Sequence, residues 1–336
     1  MRLARNFRGK GFFTNLKDKE AEDNIRDVYY SINESKTFAL YKLDELKDLD
    51  KSLMVEKHLI SKALLDSKCA AAIINDDETI SVMVNEEDHL RLQCITPGLS
   101  LGMAYRKINI IDDKILEDFE IAYDAAYGFL TTCITNVGTG MRASVMMFLP
   151  SLTRLDRMGE ISEIAKKSGL TIRGEKGEGS KPEGSIYQFS NDTTLGVSET
   201  EIIRTIEKAC VDVAALEFKA GEELLRLKRE RTEDEIIRAY YVLKNARMLE
   251  SAEFVSKMES LKLGYLLGLI EIEKKPSVVD ETENENGLVF FDNILNTLKE
   301  SNIKILAKGN AKTPEQEKIF RASVVRERLL LTQLKF

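Results

Sequence analysis

The chain reads as an α+β protein, with a mixed α+β catalytic part over residues 1–197 followed by a smaller helical module over 198–336. Two patterns predict this. Residues 69–74 form a short apolar run, Asn75-Asp76-Asp77-Glu78 supplies turn residues, and Thr79-Ile80-Ser81-Val82-Met83-Val84 alternates, which describes two strands in a hairpin-like arrangement. Past Gly196 the pattern is helical almost throughout, with start signals at Ser198 and Glu201, at Thr232 and Glu235, and at Thr313 with Pro314 and Gln316.

The remaining elements follow in order. Residues 37–67 read as mostly helical, because Leu40, Leu43, Leu46 and Leu49 recur at short intervals and Leu53, Val55 and Leu59 continue the pattern. The stretch 100–126 is partly helical with a break near Asn109, and its stripe is Ile111, Ile115, Leu116 and Phe119. Beyond Leu149 a helical run carries Ile161 and Ile164 on one face. Gly184-Ser185-Ile186-Tyr187-Gln188-Phe189 alternates as a strand. Residues 274–287, with Pro276 and several acidic side chains, read as an exposed loop.

Composition narrows the functional classes. With 43% hydrophobic and 31% charged residues, the chain has the make-up of an ordinary globular protein. A net charge of -7 argues against non-specific nucleic-acid binding. No apolar run approaches the roughly 18 residues that span a membrane, and the start lacks a signal-peptide core, so a cytoplasmic, membrane-free protein is expected. Cys69, Cys94, Cys133 and Cys210 are widely spaced, and His58 and His89 stand far apart, so neither a disulfide framework nor a histidine-based metal cluster is expected. The opening Met1-Arg2-Leu3-Ala4-Arg5-Asn6 reads as the tail of an extended element.

Three segments carry chemistry. Asn85-Glu86-Glu87-Asp88-His89-Leu90-Arg91 concentrates ionisable side chains at a predicted strand end, where binding loops commonly sit. A solvated acidic turn is the plain alternative. Holding and deprotonating a guanidinium calls for a carboxylate with paired hydrogen bonds, and Glu87 is the candidate, with Glu86 as the neighbour to be told apart from it. Arg91 and Arg142 are candidate phosphate clamps. Gly138-Thr139-Gly140, just before Arg142, offers backbone N–H groups that could approach an anion. Cys133 lies between a threonine pair and a polar loop; it is either packing or a thiolate activated by nearby arginines. The other three cysteines read as packing residues. His58 and His89 suit contact with a nucleotide base, a partly exposed helical histidine being the alternative for His58. Arg173-Gly174-Glu175-Lys176-Gly177-Glu178 reads as a lid over nucleotide or as a linker, with Arg173 and Lys176 able to meet phosphate. Together these residues point to phosphoryl transfer onto a cationic nitrogen compound.

The acidic motif and Cys133-Ile134-Thr135-Asn136-Val137-Gly138-Thr139-Gly140-Met141-Arg142 resemble, as a pair, those of the guanidino-phosphotransferase family of creatine and arginine kinases, and more closely its bacterial protein arginine kinases. The resemblance covers most of the chain. It implies a catalytic domain built around an antiparallel sheet, use of ATP with Mg2+, and phosphorylation of arginine in proteins. It implies Glu87, Cys133 and Glu178 as catalytic residues. Nucleotide contacts are implied for Arg2, His58, Arg91, the run Arg142-Ala143-Ser144-Val145-Met146, and Arg173 through Glu178. Arg2 and Arg5 resemble the last two arginines of an N-terminal R-x-R-x-x-R segment. The helical tail resembles a dimerisation and substrate-handling module, and the implied partners are a heat-shock repressor, an activator protein and a Clp ATPase. The chain departs from the family at Ile134, where proline is usual, at Lys176, where tyrosine is usual, and at Lys181, where an acidic residue is common. A phosphoarginine pocket of pattern R-D-x-x-R-A is reduced to Arg321-Ala322, with Glu317 and Lys318 in its first two positions. Two other readings stand beside a protein arginine kinase: a catalytically degenerate regulatory or adaptor protein, and a kinase for a small guanidino compound.

Overall fold

The computed structural model describes residues 1–12, 16–174, 184–272, 287–307, 311 and 313–335. In chain order its elements begin with β1 (Arg2–Arg5), α1 (Asp18–Ile32), β2 (Phe38–Lys42), α2 (Asp48–Glu56), α3 (Lys62–Leu65), β3 (Ala71–Asn75), β4 (Ile80–Val84) and β5 (Leu90–Cys94). Then come α4 (Leu101–Asp118), β6 (Tyr123–Asp124), β7 (Gly128–Phe129), β8 (Met141–Arg142), β9 (Ser144–Phe148), α5 (Pro150–Arg154), α6 (Met158–Lys167), β10 (Leu170–Gly174) and β11 (Ile186–Asn191). The rest is α7 (Glu199–Asn245), α8 (Ser251–Leu266), β12 (Ile270–Ile272), α9 (Gly287–Thr297), α10 (Glu300–Leu306), α11 (Pro314–Arg328) and β13 (Thr332–Leu334).

The chain divides into two compact units, each built from three stretches. The first comprises Met1–Met147, Ser162–Arg173 and Gln188–Val211, and the second Phe148–Ile161, Gly174–Tyr187 and Asp212–Phe336.

The first unit is organised by a six-stranded sheet in the order β2-β3-β4-β5-β1-β8, every neighbouring pair antiparallel. A second sheet has the order β10-β11-β9. The mixed α+β architecture with antiparallel sheets is therefore as expected. Side chains alternate across the large sheet. Leu3, Val82, Val84, Leu90 and Leu92 fall on one face and are wholly buried, as are Ile108 and Ile115 of α4. The other face divides in two. At its β2 end Ala72, Ile74 and Met83 pack with Met54 and Leu59 at and just after α2 and with Leu64 of α3. At its β1 end the face carries arginines instead of apolar side chains.

Local pattern misleads in three places. Residues Phe38–Lys42 form a strand, not the start of a helix, because pairing with β3 along its length outweighs the leucine spacing. Leu43 to Leu46 then make a single 3-10 turn, whose period of three residues accounts for that spacing. Helix α4 runs through Asn109 without a break, and the Asn109 side chain donates to Asp113 Oδ2 at 2.7 Å along the helix. The Thr232 start signal lies inside α7, four residues beyond an interruption at Lys228 (φ -139°, ψ 36°), and the Glu235 carboxylate meets Arg154 and Ser260 instead of a backbone cap. The boxes at Ser198–Glu201 and Thr313–Gln316 form as expected.

In the second unit, helices α8 to α11 and the later part of α7 enclose a core that includes Ile236, Phe254, Met258, Leu261, Phe291 and Ile303. It is not wholly helical, since β12 and β13 pair antiparallel between Ile270↔Leu334 and Ile272↔Thr332. Most of the loop expected over 274–287 lies outside the described residues; Gly287 opens α9.

Candidate active site

Register on the large sheet brings three arginines together. Arg2 lies opposite Gln93 on one side and Arg142 on the other, and Ala4, two residues along, lies opposite Arg91. Alternation therefore places Arg2, Arg91 and Arg142 on one face. Arg2 Nε donates to Gln93 Oε1 at 3.1 Å, and Gln93 Nε2 donates to the His58 carbonyl at 2.5 Å. His58 is exposed in the turn after α2 and has a left-handed φ of 58°, so it is not helical; its backbone, tied to Gln93, borders the arginine group. Burial, together with the charges of Arg91 and Arg142, pushes the Arg2 pKa down to about 10 against the opposing pull of Glu86. Three guanidinium groups gathered on one face suit a polyanion, and a nucleotide's polyphosphate chain meets that requirement.

The same β1 alternation corrects the expectation for Arg5. Arg5 lies on the opposite face and is 2% exposed. Its guanidinium donates to Asp112 of α4 through Nε at 2.9 Å and Nη2 at 2.7 Å, and through Nη1 to the Thr139 carbonyl at 3.1 Å. It also lies 3.5 Å from the centroid of the Phe129 ring. Arg5 is a buried structural residue.

The acidic segment is a tight turn between β4 and β5. Asn85 adopts φ 61°, and its N–H donates to the His89 carbonyl at 2.9 Å. The two glutamates separate. Glu86 is buried; both its oxygens accept from Arg91 Nη1 at 2.6 and 2.7 Å, and one also accepts from the Ser61 hydroxyl. Glu87 stays exposed. Partial burial and the neighbouring Asp88 and Glu86 carboxylates raise its pKa above the ordinary carboxylate value, against the pull of Arg91. Glu86 is thus an anchor for Arg91, and Glu87 keeps its carboxylate exposed.

Asp88 and Asn85 hold the turn, a role their sequence positions did not reveal. Asp88 Oδ1 accepts from Asn6 Nδ2 at 2.6 Å and from the Thr132 N–H at 2.7 Å. Thr132 Oγ1 donates in turn to the Glu87 carbonyl at 2.9 Å, so the cysteine segment is fastened to the glutamate turn. Asn85 Nδ2 donates to the carbonyls of Ala21 and Cys69 at 3.0 and 2.9 Å. Cys133 is half-buried beside this staple, with Sγ 3.0 Å from Thr135 Oγ1, and Ile134 next to it is 84% exposed.

His89 does not face a nucleotide. It is fully buried, stacks on Phe7 with ring centroids 5.5 Å apart, accepts the Phe7 N–H at Nδ1 (3.1 Å), and its Nε2 lies 2.8 Å from the Gly11 carbonyl. Donation to Gly11 requires the neutral tautomer protonated at Nε2. Burial holds the His89 pKa below its ordinary value, against the raising effect of Gly11. A depressed folded pKa gives stability that is complete above about pH 6.5 and is lost as pH falls through the lower folded value. Below pH 6.5 the protection of the Phe7 amide, measured against its intrinsic exchange rate at each pH, should fall in wild type and stay constant in His89→Gln.

Gly138 and Thr139 do not offer their N–H groups to an anion. These donate to the Phe129 and Thr194 carbonyls at 3.3 and 3.0 Å. Gly138, at φ 118°, is required by close approach, because a Cβ there would stand 2.2 Å from the Thr194 carbonyl oxygen. Gly138→Ala should therefore cost more than about 1 kcal/mol in denaturant titration.

The other nucleotide positions expected from sequence are distributed along β8, β9 and β10. Ala143 is buried and its N–H donates to Asn191 Oδ1 at 2.8 Å, while Ser144 Oγ accepts from Gln188 Nε2 at 2.8 Å, so both are engaged within the protein. Val145 is half-buried and Met146 exposed on β9. Arg173 and Gly174 end β10. Glu175, Lys176, Gly177 and Glu178 lie outside the described residues, as does Lys181. In the second unit, Arg321 is buried, with Nη1 donating to the Leu249 carbonyl at 2.8 Å, and burial pushes its pKa down.

Residues 20–220 match the model of the ATP:guanido phosphotransferase C-terminal catalytic domain, and residues 229–335 that of the protein-arginine kinase McsB C-terminal domain. The two matches stop and start on either side of the α7 interruption at Lys228. A protein-arginine kinase of Clostridium acetobutylicum is 41% identical over 334 residues, covering 98% of this chain and 94% of its own. The chain belongs to the protein-arginine kinase family. A family member from Caldanaerobacter subterraneus is 42% identical over 81% of this chain and 83% of its own, and one from Bacillus cereus is 36% identical over 98% and 90%. Among solved structures, the duplicated taurocyamine kinase of Schistosoma mansoni with bound transition-state-analogue components aligns with a TM-score of 0.58 at 25% identity, over 64% of this chain and 32% of that one. Lombricine kinase shares the fold with a TM-score of 0.57, over 64% of each chain. The chain is thus a guanidino phosphotransferase with arginine-kinase activity at the level of its family.

Proposed function

We propose that this chain transfers the γ-phosphoryl group of ATP to the side chain of arginine residues in proteins. The observation that carries the reading is the separation of the two glutamates, with Glu86 committed to Arg91 and Glu87 exposed beside it with a raised pKa. Arg2, Arg91 and Arg142 gather the phosphates and disperse the charge of the transferring group. A guanidinium nitrogen forms the new N–P bond while the bond from the γ-phosphorus to the bridging oxygen breaks. The electron pair leaves with ADP, and Glu87 takes the nitrogen's proton. The bond from Thr132, the neighbour of Cys133, to the Glu87 carbonyl supports a role for Cys133 in polarising the guanidinium. Mg2+ would be held chiefly by the phosphates, where it neutralises their charge.

Protein substrates are favoured over free guanidino compounds because the second unit matches the protein-arginine kinase module and the relatives carry that name. The same reading extends to control of a stress repressor, an activator protein, and delivery of marked proteins to a Clp ATPase in the cytoplasm. No described helix is long and apolar enough to cross a membrane. Phe218 and Leu227 on α7, 71% and 56% exposed, support a homodimer. The test is ATP-dependent labelling of casein, mapped by mass spectrometry at neutral pH to preserve the acid-labile N–P bond. Phosphoarginine is the expected product. Nucleotide binding without any product would replace this reading with a regulatory protein.

A further inference from the structure

Strand β2 forms one end of the six-stranded sheet, and among the described residues it pairs with β3 alone. Bonds at the two ends of that ladder, Asp76 N–H to the Thr37 carbonyl and Leu43 N–H to the Ala70 carbonyl, set its phase. Odd-numbered residues turn their backbone groups toward β3, and Phe38, Leu40 and Lys42 turn theirs outward. The Phe38 N–H is taken by Asn33 Oδ1 at 2.9 Å. The Leu40 N–H and C=O have no partner among the described residues. Neither proline nor a bulge interrupts the strand, so its edge can accept another strand.

Each face of this edge opens on a cavity. On the α1 face, Leu40 and Lys42 border a cavity of about 390 Å³ with Glu22, Tyr29, Tyr30 and Asp44. On the other face, Ala39 and Tyr41 border one of about 450 Å³ with Asp50 and Asp76. An added strand sends successive side chains to opposite faces and so would fill both.

The charges in these cavities are unequally matched. The cations are already engaged: Arg26 with Asp23 and Asp27 at 2.7 and 2.9 Å, Lys42 with Glu45 at 3.8 Å, and Lys57 with Glu78 at 2.8 Å. The carboxylates of Glu22, Asp44, Asp50 and Asp76 have no ion-pair partner among the described residues. Burial and the charges of Glu22, Asp44 and Asp18 raise the pKa of the Cys69 thiol at the first cavity, in keeping with a negative field there. Tyr29 and Tyr30 add ring faces on which a planar cation can lie.

We propose that the β2 edge is a docking site for protein substrates, in which an extended segment adds to the sheet at Leu40 and seats an arginine side chain between Glu22, Asp44 and the two tyrosines. The proposal rests on the reading that the chain phosphorylates proteins. Three strand spacings of about 4.8 Å separate β2 from β5, which carries Arg91, so the docked arginine is not the one that reacts. Docking raises the local concentration of other arginines of the same substrate near Glu87.

Two variants test this. Leu40→Pro removes an N–H that the ladder does not use and blocks strand addition; Glu22→Gln with Asp44→Asn removes the charge and keeps the shape. Each should raise KM for casein by about tenfold, as loss of roughly 1.4 kcal/mol of binding would do, with kcat unchanged. A short arginine peptide, too small to reach both places, should be turned over as by wild type. Unchanged KM for casein in both variants overturns the proposal, as does an equal loss with the short peptide. Fluorescence anisotropy of a labelled, extended arginine-rich peptide keeps the proposal separate from the proposed function. If wild type labels no protein, peptide binding that is lost in both variants still supports the edge site, and absence of wild-type binding overturns it. A wild-type dimer that Leu40→Pro dissociates, with KM unchanged, would assign the edge to a second copy of the chain instead.

Discussion

Glu87→Gln should abolish phosphoryl transfer, lowering kcat by about 10²- to 10⁴-fold while leaving nucleotide affinity and melting temperature near wild type. The side chain is exposed and makes no contact on which the turn depends; only its carbonyl is used, by Thr132. Glutamine keeps the shape and removes the proton acceptor. Because the Glu87 pKa is raised, the acid limb of the wild-type pH profile should lie above the ordinary carboxylate range, near 4.3, and activity should fall as pH drops through that limb. Glu86→Gln gives the contrast. It weakens the hold on Arg91 and should act first on the KM for ATP. Stopped-flow and steady-state kinetics of the two variants separate base from anchor, and equal effects on kcat alone would remove the distinction drawn between them.

The largest expected effect on stability lies at Arg5 and Asp112. Asp112→Ala leaves a guanidinium, 2% exposed, without its carboxylate, and such a loss costs about 3–5 kcal/mol. Arg5 Nη1 also holds the Thr139 carbonyl, three residues before Arg142, so the damage should reach the face that carries Arg2, Arg91 and Arg142. Replacing both partners, Arg5→Met with Asp112→Leu, should be milder than the single change, because no buried charge is left unpaired. Urea titration of the two singles and the double gives the coupling directly. Additive losses would mean that the pair contributes little beyond its separate contacts with Phe129 and the Thr139 carbonyl.

The candidate residues were legible because chemistry restricts their types. A segment holding two glutamates, an aspartate and an arginine has few uses in a core, and it forms the β4–β5 turn and the start of β5, at a strand end as the alternating pattern predicts. The hairpin of β3 and β4, the helical character beyond Gly196 and the caps at Ser198 and Thr313 are local features, set by residues within a few positions of one another, and sequence suffices for them. Misreadings fell where distant partners decide. Leucines at 40 and 43 have helical spacing, but β3 captures the first of them in a strand. Gly138 looked like an anion cradle, and only the nearness of Thr194, more than fifty residues on, shows that its lack of a side chain serves packing.

What the amino-acid order determined by itself was the inventory: which carboxylates, guanidinium groups and thiol are present, and which short segments are extended or helical. Tertiary structure decided their division of labour. Arg2 and Arg5 are both arginines on one strand, yet an odd separation sends them to opposite faces, one toward Arg91 and Arg142 and the other into a buried pair with Asp112. Glu86 and Glu87 differ only in which way a tight turn aims them, and His89 became a neutral buried link because Phe7 and Gly11 close over it. The physical reason is common to all three cases. A side chain's protonation and reach depend on burial and on the charges around it, and those are set by strands and helices far away in the chain.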